Sequence, residues 1–352
     1  MKLKFRLERT PSPFWMIALL PIVAVLITFI ISTLLLLLAK ANPFETFYYI
    51  LISPLSSRTS ALEVLVKATP LILTSSAVTL AFASGYWNIG AEGQFFAGAI
   101  AAAFLGTQLG GFPSYFAIPL MFLGGFCAGM LWALIPAWLK VKLNVDEVVT
   151  TLLMNYIILF FLSYLLNGPW RDPVSGWPQS PTIAPSTMLP KLLERSRLHL
   201  GFLVAIAAMI VVWFILSKTS LGLRMRAVGK GKDAARFMGV NIGRTLFITA
   251  LISGGIAGLA GVTEVAGIHF HITDAISDGF GYTGIIGATL GNLNPWGAGV
   301  AAVFLGLIAT GAQSVSRSMD LPVFLGNVVQ ALLLLVTLSI ILLRNYSIKR
   351  VT

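Results

Sequence analysis

Charge is scarce in this chain of 352 residues: only 11% are Asp, Glu, Lys or Arg, against about 25% in soluble globular domains. That scarcity excludes an ordinary soluble domain, and a mean hydropathy of +0.88 agrees. Cysteine occurs once, as Cys127 inside an apolar stretch, which excludes a disulfide framework. The three histidines, His199, His269 and His271, belong to no His-Glu-x-x-His pattern and have no Cys cluster beside them, so no metal site is expected. A Gly-x-x-x-x-Gly-Lys-Ser/Thr phosphate loop is missing, and this chain therefore cannot itself be an ATPase. No Ser-His-Asp set is suggested, and no catalytic residue or resident cofactor is expected. The formal charge is +11, but the basic residues are not grouped with aromatics as a nucleic-acid surface requires.

What the sequence does contain is long apolar runs. About 20 apolar residues cross the hydrocarbon layer as a helix. Runs of that order occupy 14–39, 61–83, 115–138, 148–166, 200–217, 247–266 and 322–343, and three shorter or glycine-broken ones occupy 95–111, 282–291 and 298–315. The expectation is an all-α polytopic membrane protein of about ten transmembrane helices, with 1–352 forming a single membrane domain. The first run follows Lys2, Lys4, Arg6 and Arg9 and continues into Lys40 and Asn42-Pro43. Signal-peptide cores are shorter, about 7–15 residues, so it reads as a retained helix.

Basic residues orient the chain. With alternating passes and an inside N-terminus, 1–9, 139–147, 218–246 and 344–352 carry sixteen Lys and Arg, while 40–60, 167–199 and 315–321 carry seven. Cytoplasmic loops hold the excess, which predicts both termini inside. Residues 167–199 then form an external loop, rich in Pro and Trp and suited to a rigid cap. The segment 218–246 is cytoplasmic and too polar for lipid, and its middle reads as a short amphipathic helix bounded by glycines.

The most chemically loaded stretch is Gly85-Tyr86-Trp87-Asn88-Ile89-Gly90-Ala91-Glu92-Gly93-Gln94. Irregular backbone at membrane depth survives only where protein or a water-filled cavity satisfies its polar groups. Such a break can offer Trp87 as a stacking face and Asn88, Glu92 and Gln94 as polar contacts; the alternative is a tight turn with interfacial aromatics. A counterpart at Gly279–Gly284 contains Tyr282, although small residues there also allow plain helix packing. Asn155 and Glu264 would be costly against lipid and point to a polar interior. Gly85-Tyr86 is followed by Ala101-Ala102-Ala103-Phe104-Leu105-Gly106, and Gly281-Tyr282 by Ala301-Ala302-Val303-Phe304-Leu305-Gly306, a possible inverted repeat.

GYWNIGAEGQ at 85–94, DEVVTTLLMNYI at 146–157, NGPWRDP at 167–173 and the 222–240 loop together resemble the bacterial ABC permeases for nucleosides. These are relatives of the ribose and simple-sugar permeases in the branched-chain-type permease superfamily. The resemblance runs from about 15 to 343. It implies a fold similar to that of the vitamin B12 importer permeases and a multi-pass location in the bacterial cytoplasmic membrane. The implied partners are a second permease, identical or paralogous, a substrate-binding lipoprotein, and a cytoplasmic ATPase that holds ATP and Mg. The implied coupling loop is 218–246, with Gly222, Arg224, Arg226, Gly229 and Gly239 as candidate ATPase contacts. A ribose or other sugar permease is the nearest alternative. An ion-coupled secondary transporter is disfavoured, because few ionisable residues beyond Glu63, Lys67 and Glu264 fall within the spans.

Overall fold

The computed structural model describes residues 4–9, 14–38, 40–319, 322 and 324–351. Ala39, Asp320, Leu321 and Val323, at the edges of expected spans, lie outside these, as does Lys2. Each of the ten apolar segments falls on a helix: α1 (Phe14–Leu38), α3 (Arg58–Ala83), α4 (Ala91–Gln108), α5 (Ser114–Leu143), α6 (Glu147–Asn167), α7 (Gly201–Lys218), α10 (Ile242–Glu264), α11 (Phe280–Leu290), α12 (Pro295–Met319) and α13 (Phe324–Asn345). Three short helices join them: α2 (Pro43–Phe47), α8 (Ser220–Lys230) and α9 (Lys232–Phe237). Among the described residues, six helices (α3, α5, α6, α7, α10 and α12) are long and apolar enough to cross a membrane.

One small element lies beside the helices. Lys4–Arg9 and Tyr346–Val351 pair as a two-stranded antiparallel ribbon, β1 and β2, which brings the two chain ends together. Both segments are short and rich in alternating polar and apolar residues, a period-2 pattern that suits a strand rather than a helix.

Helices α3 and α10 form the centre. Their most apolar windows are 89% and 72% buried, against 28% for α5, α6 and α7. The two run in opposite directions and pack on each other. Around them the contacts pair up: α10 lies chiefly on α5 and α4, while α3 lies chiefly on α12 and α11. The hexapeptides at 101–106 and 301–306 fall on α4 and α12, which hold different places in this arrangement, so their likeness does not follow the packing.

Backbone approach explains much of the glycine. A Cβ on Gly98 would collide with the Gly258 carbonyl, and one on Gly129 with the Gly254 carbonyl. Small residues thus let α4, α5 and α10 touch backbone to backbone, which replaces the hydrophobic drive that lipid does not supply.

The segment 167–199 lies over one end of this bundle. Ile183 and Thr187 rest on Gly106 of α4. The amides of Ser180, Ile183 and Leu189 donate to the carbonyls of Ile272, Phe270 and Ala266. Trp170 stacks on Phe104 at 6.1 Å. Asp172 accepts from the Ser175 hydroxyl and the Val174 amide, which hold its carboxyl below the usual range.

His199 closes the segment. Its Nδ1 accepts from the Gly201 amide at 3.1 Å, and its ring fills the space where Cβ atoms on Gly201 and Gly267 would sit. Nε2 is buried without a partner among the described residues. Burial pushes the imidazole down to about 4. An unfolded histidine, near 6.5, takes up its proton first, so this contribution to stability is full above about pH 6.5 and is lost as pH falls towards 4. The expected loss between pH 7 and 5 is about 2 kcal/mol. Thermal unfolding in detergent should therefore show a lower midpoint at pH 5, and His199→Asn should flatten that slope. An unchanged slope in the variant would remove His199 from this role.

Candidate functional site

Helix α3 ends at Ala83, and the chain crosses Ser84–Gly90 before α4 begins. Gly85 takes φ +74, a left-handed conformation that glycine adopts without a Cβ penalty. The break is tied down from within. Asn88 Nδ2 donates to Gln94 Oε1 at 2.9 Å and to Ser253 Oγ at 3.0 Å, and Asn88 Oδ1 accepts from the Gly90 amide and Gln94 Nε2. Ser253 in turn donates to the Ala77 carbonyl. All four hydrogen-bonding sites of the Asn88 amide are thus engaged, and Asn88 and Gln94 are buried.

Glu92 is also committed to the protein. It lies in the first turn of α4, and one carboxylate oxygen accepts from the Gly281 amide at 2.6 Å. It therefore caps the N-terminus of α11, where helix amides lack internal partners and the dipole favours negative charge. A Cβ on Gly281 would strike the Glu92 backbone. The N-termini of α4 and α11 thus meet inside the bundle.

Helix α6 bridges this meeting point. Asp146 caps it, accepting from the amides of Val148 and Val149, and Glu147 pairs with Lys140. Residues 147, 151, 154, 155, 158, 162 and 166 are buried, the stripe expected of a helix with one protein-facing side. Along it, Thr151 Oγ1 accepts from the Ile89 amide, and Asn155 Oδ1 accepts from the Gly93 amide at 2.8 Å. Asn155 Nδ2 donates to the Ile89 carbonyl at 3.0 Å and to the Tyr282 hydroxyl at 3.1 Å. One carboxamide therefore links α6, the break and α11.

Of the sequence-derived residues, the structure brings Asn88, Glu92, Gln94, Asn155 and Tyr282 into one polar junction, with Tyr282 half-buried at its edge. Trp87 stands apart, 49% exposed and packed on Phe82 at 4.5 Å. Sequence reading missed the outward face of α6, where Tyr156, Phe160 and Tyr164 are exposed four residues apart. Tyr156 lies close to the helix midpoint, about 14 Å from its start at 1.5 Å per residue. The i, i+4, i+8 aromatic spacing was the available signal.

Near the break lies the segment 218–246, whose middle is expected to form a short glycine-bounded helix. It is two helices, α8 and α9, separated at Gly231. Gly222 is not a boundary: it sits within α8, whose cap is Thr219, accepting from the Gly222 amide. A Cβ on Gly222 would meet the Ile215 carbonyl, and one on Gly229 the Ala83 carbonyl, so both glycines seat α8 against α7 and α3. Gly239, at φ +78, ends the α9 segment. Arg224 and Arg226 are exposed. A cleft of about 370 Å³ lies between α8 and α9, bordered by Leu223, Arg226, Lys230 and Met238. Phe237 beside it is 94% exposed.

A bundle of apolar spans, crossed by two helix ends that meet at a polar junction, is the architecture of a polytopic membrane protein. The chain belongs to the family described as branched-chain amino acid transport system / permease component, whose profile matches residues 60–338. It is 35% identical over 280 residues to the guanosine ABC transporter permease protein of Bacillus subtilis, covering 79% of this chain and 80% of that one. It is 32% identical over 350 residues to the glucose ABC transporter permease protein of Haloferax volcanii, covering 97% and 92%. To the nucleoside ABC transporter permease protein of Lactococcus lactis it is 29% identical over 333 residues, covering 92% of each chain.

Proposed function

We propose that this chain is the membrane-spanning subunit of an ATP-driven importer for nucleosides, with ten passes and a fold of the vitamin B12 importer type. Two similar proteins act on guanosine or nucleosides by name. The observation that carries the mechanism is that Tyr156, 52% exposed, and the half-buried Tyr282 lie beside the junction of α4 and α11, next to Asn155. Phenol groups facing hydrocarbon at mid-span would lose their hydrogen bonds. A water-filled pathway, closed by a second permease chain across α6, satisfies them. Trp87 remains a candidate for its inner end, whereas Asn88 and Glu92 act by holding the junction together.

The packing also supports an inverted repeat in which α3–α6 correspond to α10–α13. The principal pairs α10 with α5 and α3 with α12 are equivalent under that exchange, as are α10 with α4 and α3 with α11. In transporters such repeats rock against each other around a central site. The excess of basic residues supports cytoplasmic termini and an external 167–199. The cleft between α8 and α9, with its exposed apolar and basic rim, suits docking of a cytoplasmic ATPase that binds ATP and Mg, and the external loop suits docking of a substrate-binding lipoprotein.

Ion coupling finds little support. Glu63 pairs with Arg197 at 2.6 Å, Lys67 with Asp278 at 2.9 Å and Glu264 with His269 at 3.5 Å, and Glu92 is bound by the Gly281 amide, so each of these groups has a partner within the protein. A sugar permease remains the second reading, favoured by the nearly full-length similarity to the glucose permease protein. Uptake of radiolabelled nucleosides by the reconstituted complex should require ATP. Tyr156→Phe, which keeps the ring and removes only the hydroxyl, should lower that uptake about threefold to tenfold at subsaturating solute. ATP-dependent uptake of glucose but of no nucleoside would favour the second reading. Uptake driven by an ion gradient without ATP would overturn both.

A further inference from the structure

The proposed repeat sets α13 against α6, and α13 carries an amide the sequence did not draw attention to. On α13, Gln330 is 93% buried, with 7% of its surface exposed, and its Oε1 accepts from the Thr283 hydroxyl of α11 at 3.3 Å. This mirrors Asn155 accepting from Gly93 of α4. The two amides differ in their donor hydrogens. Both Asn155 hydrogens are donated within the protein, whereas Gln330 Nε2 has no partner among the described residues. Gln330 lines a cavity of about 130 Å³ between α3, α11, α12 and α13. Gln313, Asn327 and Asp278 also border it. Among the described residues, the side chains of Gln313 and Asn327 make no hydrogen bond.

We propose that this cavity is a subsite for the hydroxyl-bearing ring of the transported solute, an assignment that rests on the transport reading above. Carboxamides both donate and accept, as vicinal hydroxyls do, and three of them converge here. Gln330 lines the cavity with its Nε2 unpartnered among the described residues, and a ring hydroxyl supplies the acceptor. The site carries no spare cation for a phosphate or carboxylate, because Lys67 is bound to Asp278 at 2.9 Å. Two aromatic rings border it: Phe324 is 76% exposed, and Phe280 is packed inward. Phe280 is buried, with Phe95 at 5.8 Å and the Lys67 ammonium 5.8 Å from its centroid. The cavity is large enough for several waters, which ring hydroxyls replace in kind. The carboxamides therefore suit a neutral polyhydroxylated ring, with the exposed face of Phe324 at the border of the same cavity.

The test compares each ribonucleoside with its 2′,3′-dideoxy analogue, and glucose with 2-deoxyglucose, in ATP-driven uptake by the assembled complex. Gln330→Leu and Asn327→Leu should each reduce the preference for the hydroxylated partner about threefold to tenfold, leaving uptake of the deoxy analogue near that of the wild type. An unchanged preference in assembled Gln330→Leu complex, with normal wild-type uptake, overturns the subsite alone. Wild-type complex that imports none of these solutes with ATP overturns the transport reading and the subsite with it. Should Gln330→Leu fail to assemble, a cysteine at Ala309 on the cavity wall, in a Cys127→Ala background, replaces it. Solute should slow thiol labelling at that position by at least about twofold, the protection expected with solute at its dissociation constant, and an unaltered labelling rate overturns the proposal.

Discussion

Gly258→Leu should yield no folded protein. A Cβ at this position would collide with the Gly125 carbonyl and lie 3.1 Å from the Gly129 Cα, while a Cβ on Gly98 opposite would strike the Gly258 carbonyl. Backbone atoms on both sides leave no flexible side chain to move aside. Overpacking that side chains can absorb costs about 1–3 kcal/mol. Here α4, α5 and α10 must separate, so the loss should exceed about 4–5 kcal/mol, the range reserved for severe defects. Size-exclusion chromatography of a fluorescent fusion should show aggregate in place of a single peak. Gly111→Leu provides the contrast: nothing lies within 4 Å of its Cβ position, and it should elute as wild type. A monodisperse Gly258→Leu protein with an unchanged unfolding midpoint would disprove the three-helix contact.

The combined change Leu223→Asp with Phe237→Asp should abolish ATP-driven uptake while sparing the fold. Both side chains are solvent-exposed, at 63% and 94%; Leu223 borders the cleft between α8 and α9 together with Arg226, Lys230 and Met238, and Phe237 precedes Met238 in the chain. Exposed apolar side chains ringed by basic ones suit a protein partner, and anchors of this kind contribute about 2–4 kcal/mol to binding. Loss of about 2 kcal/mol weakens association about thirtyfold, and the ATPase should no longer co-purify. Reversing the charge at Arg224 and Arg226 should give a milder, salt-dependent version of the same defect. Because α8 is seated through Gly222, Met225 and Val228, neither variant should alter the elution or unfolding of the permease alone. Full co-purification and uptake in the double aspartate variant would move the docking site elsewhere.

The regular parts of this architecture are visible in the residues because each depends on local composition. Apolar length marks helices, and every one of the ten runs lies on one. The DEVVTTLLMNYI stretch shows how much a single segment can carry. Asp146 caps, Glu147 pairs with Lys140, and Thr151 and Asn155 come at one-turn spacing on the buried stripe. The strands at the two ends are not legible in this way, since a six-residue strand needs a partner 337 or more residues away in sequence, from Arg9 to Tyr346. The short glycine-bounded helix expected in the middle of 218–246 is found as α9, between Gly231 and Gly239, whereas α8 before it is not bounded in that way. Gly222 is required by the neighbouring Ile215 carbonyl, and helix-boundary rules contain no information about neighbours.

The polar residues of 85–94 divide along the same line. Their concentration in a chain so poor in charge identifies the place, since polar groups at membrane depth are retained only where something satisfies them. What satisfies them is not written locally. Asn88 finds Ser253, 165 residues away, Glu92 finds the Gly281 amide, 189 away, and Asn155 finds Tyr282, 127 away. Sequence by itself therefore determined the class of protein, the positions of its helices and the segment where polarity is concentrated, because hydrophobic length and charge bias act residue by residue. Only the tertiary structure decided which polar atoms are spent on holding helices together and which remain free to meet a solute. A hydrogen-bonding group has a small number of bonds to make, and whether a partner in the distant half of the chain takes them is a matter of three-dimensional proximity.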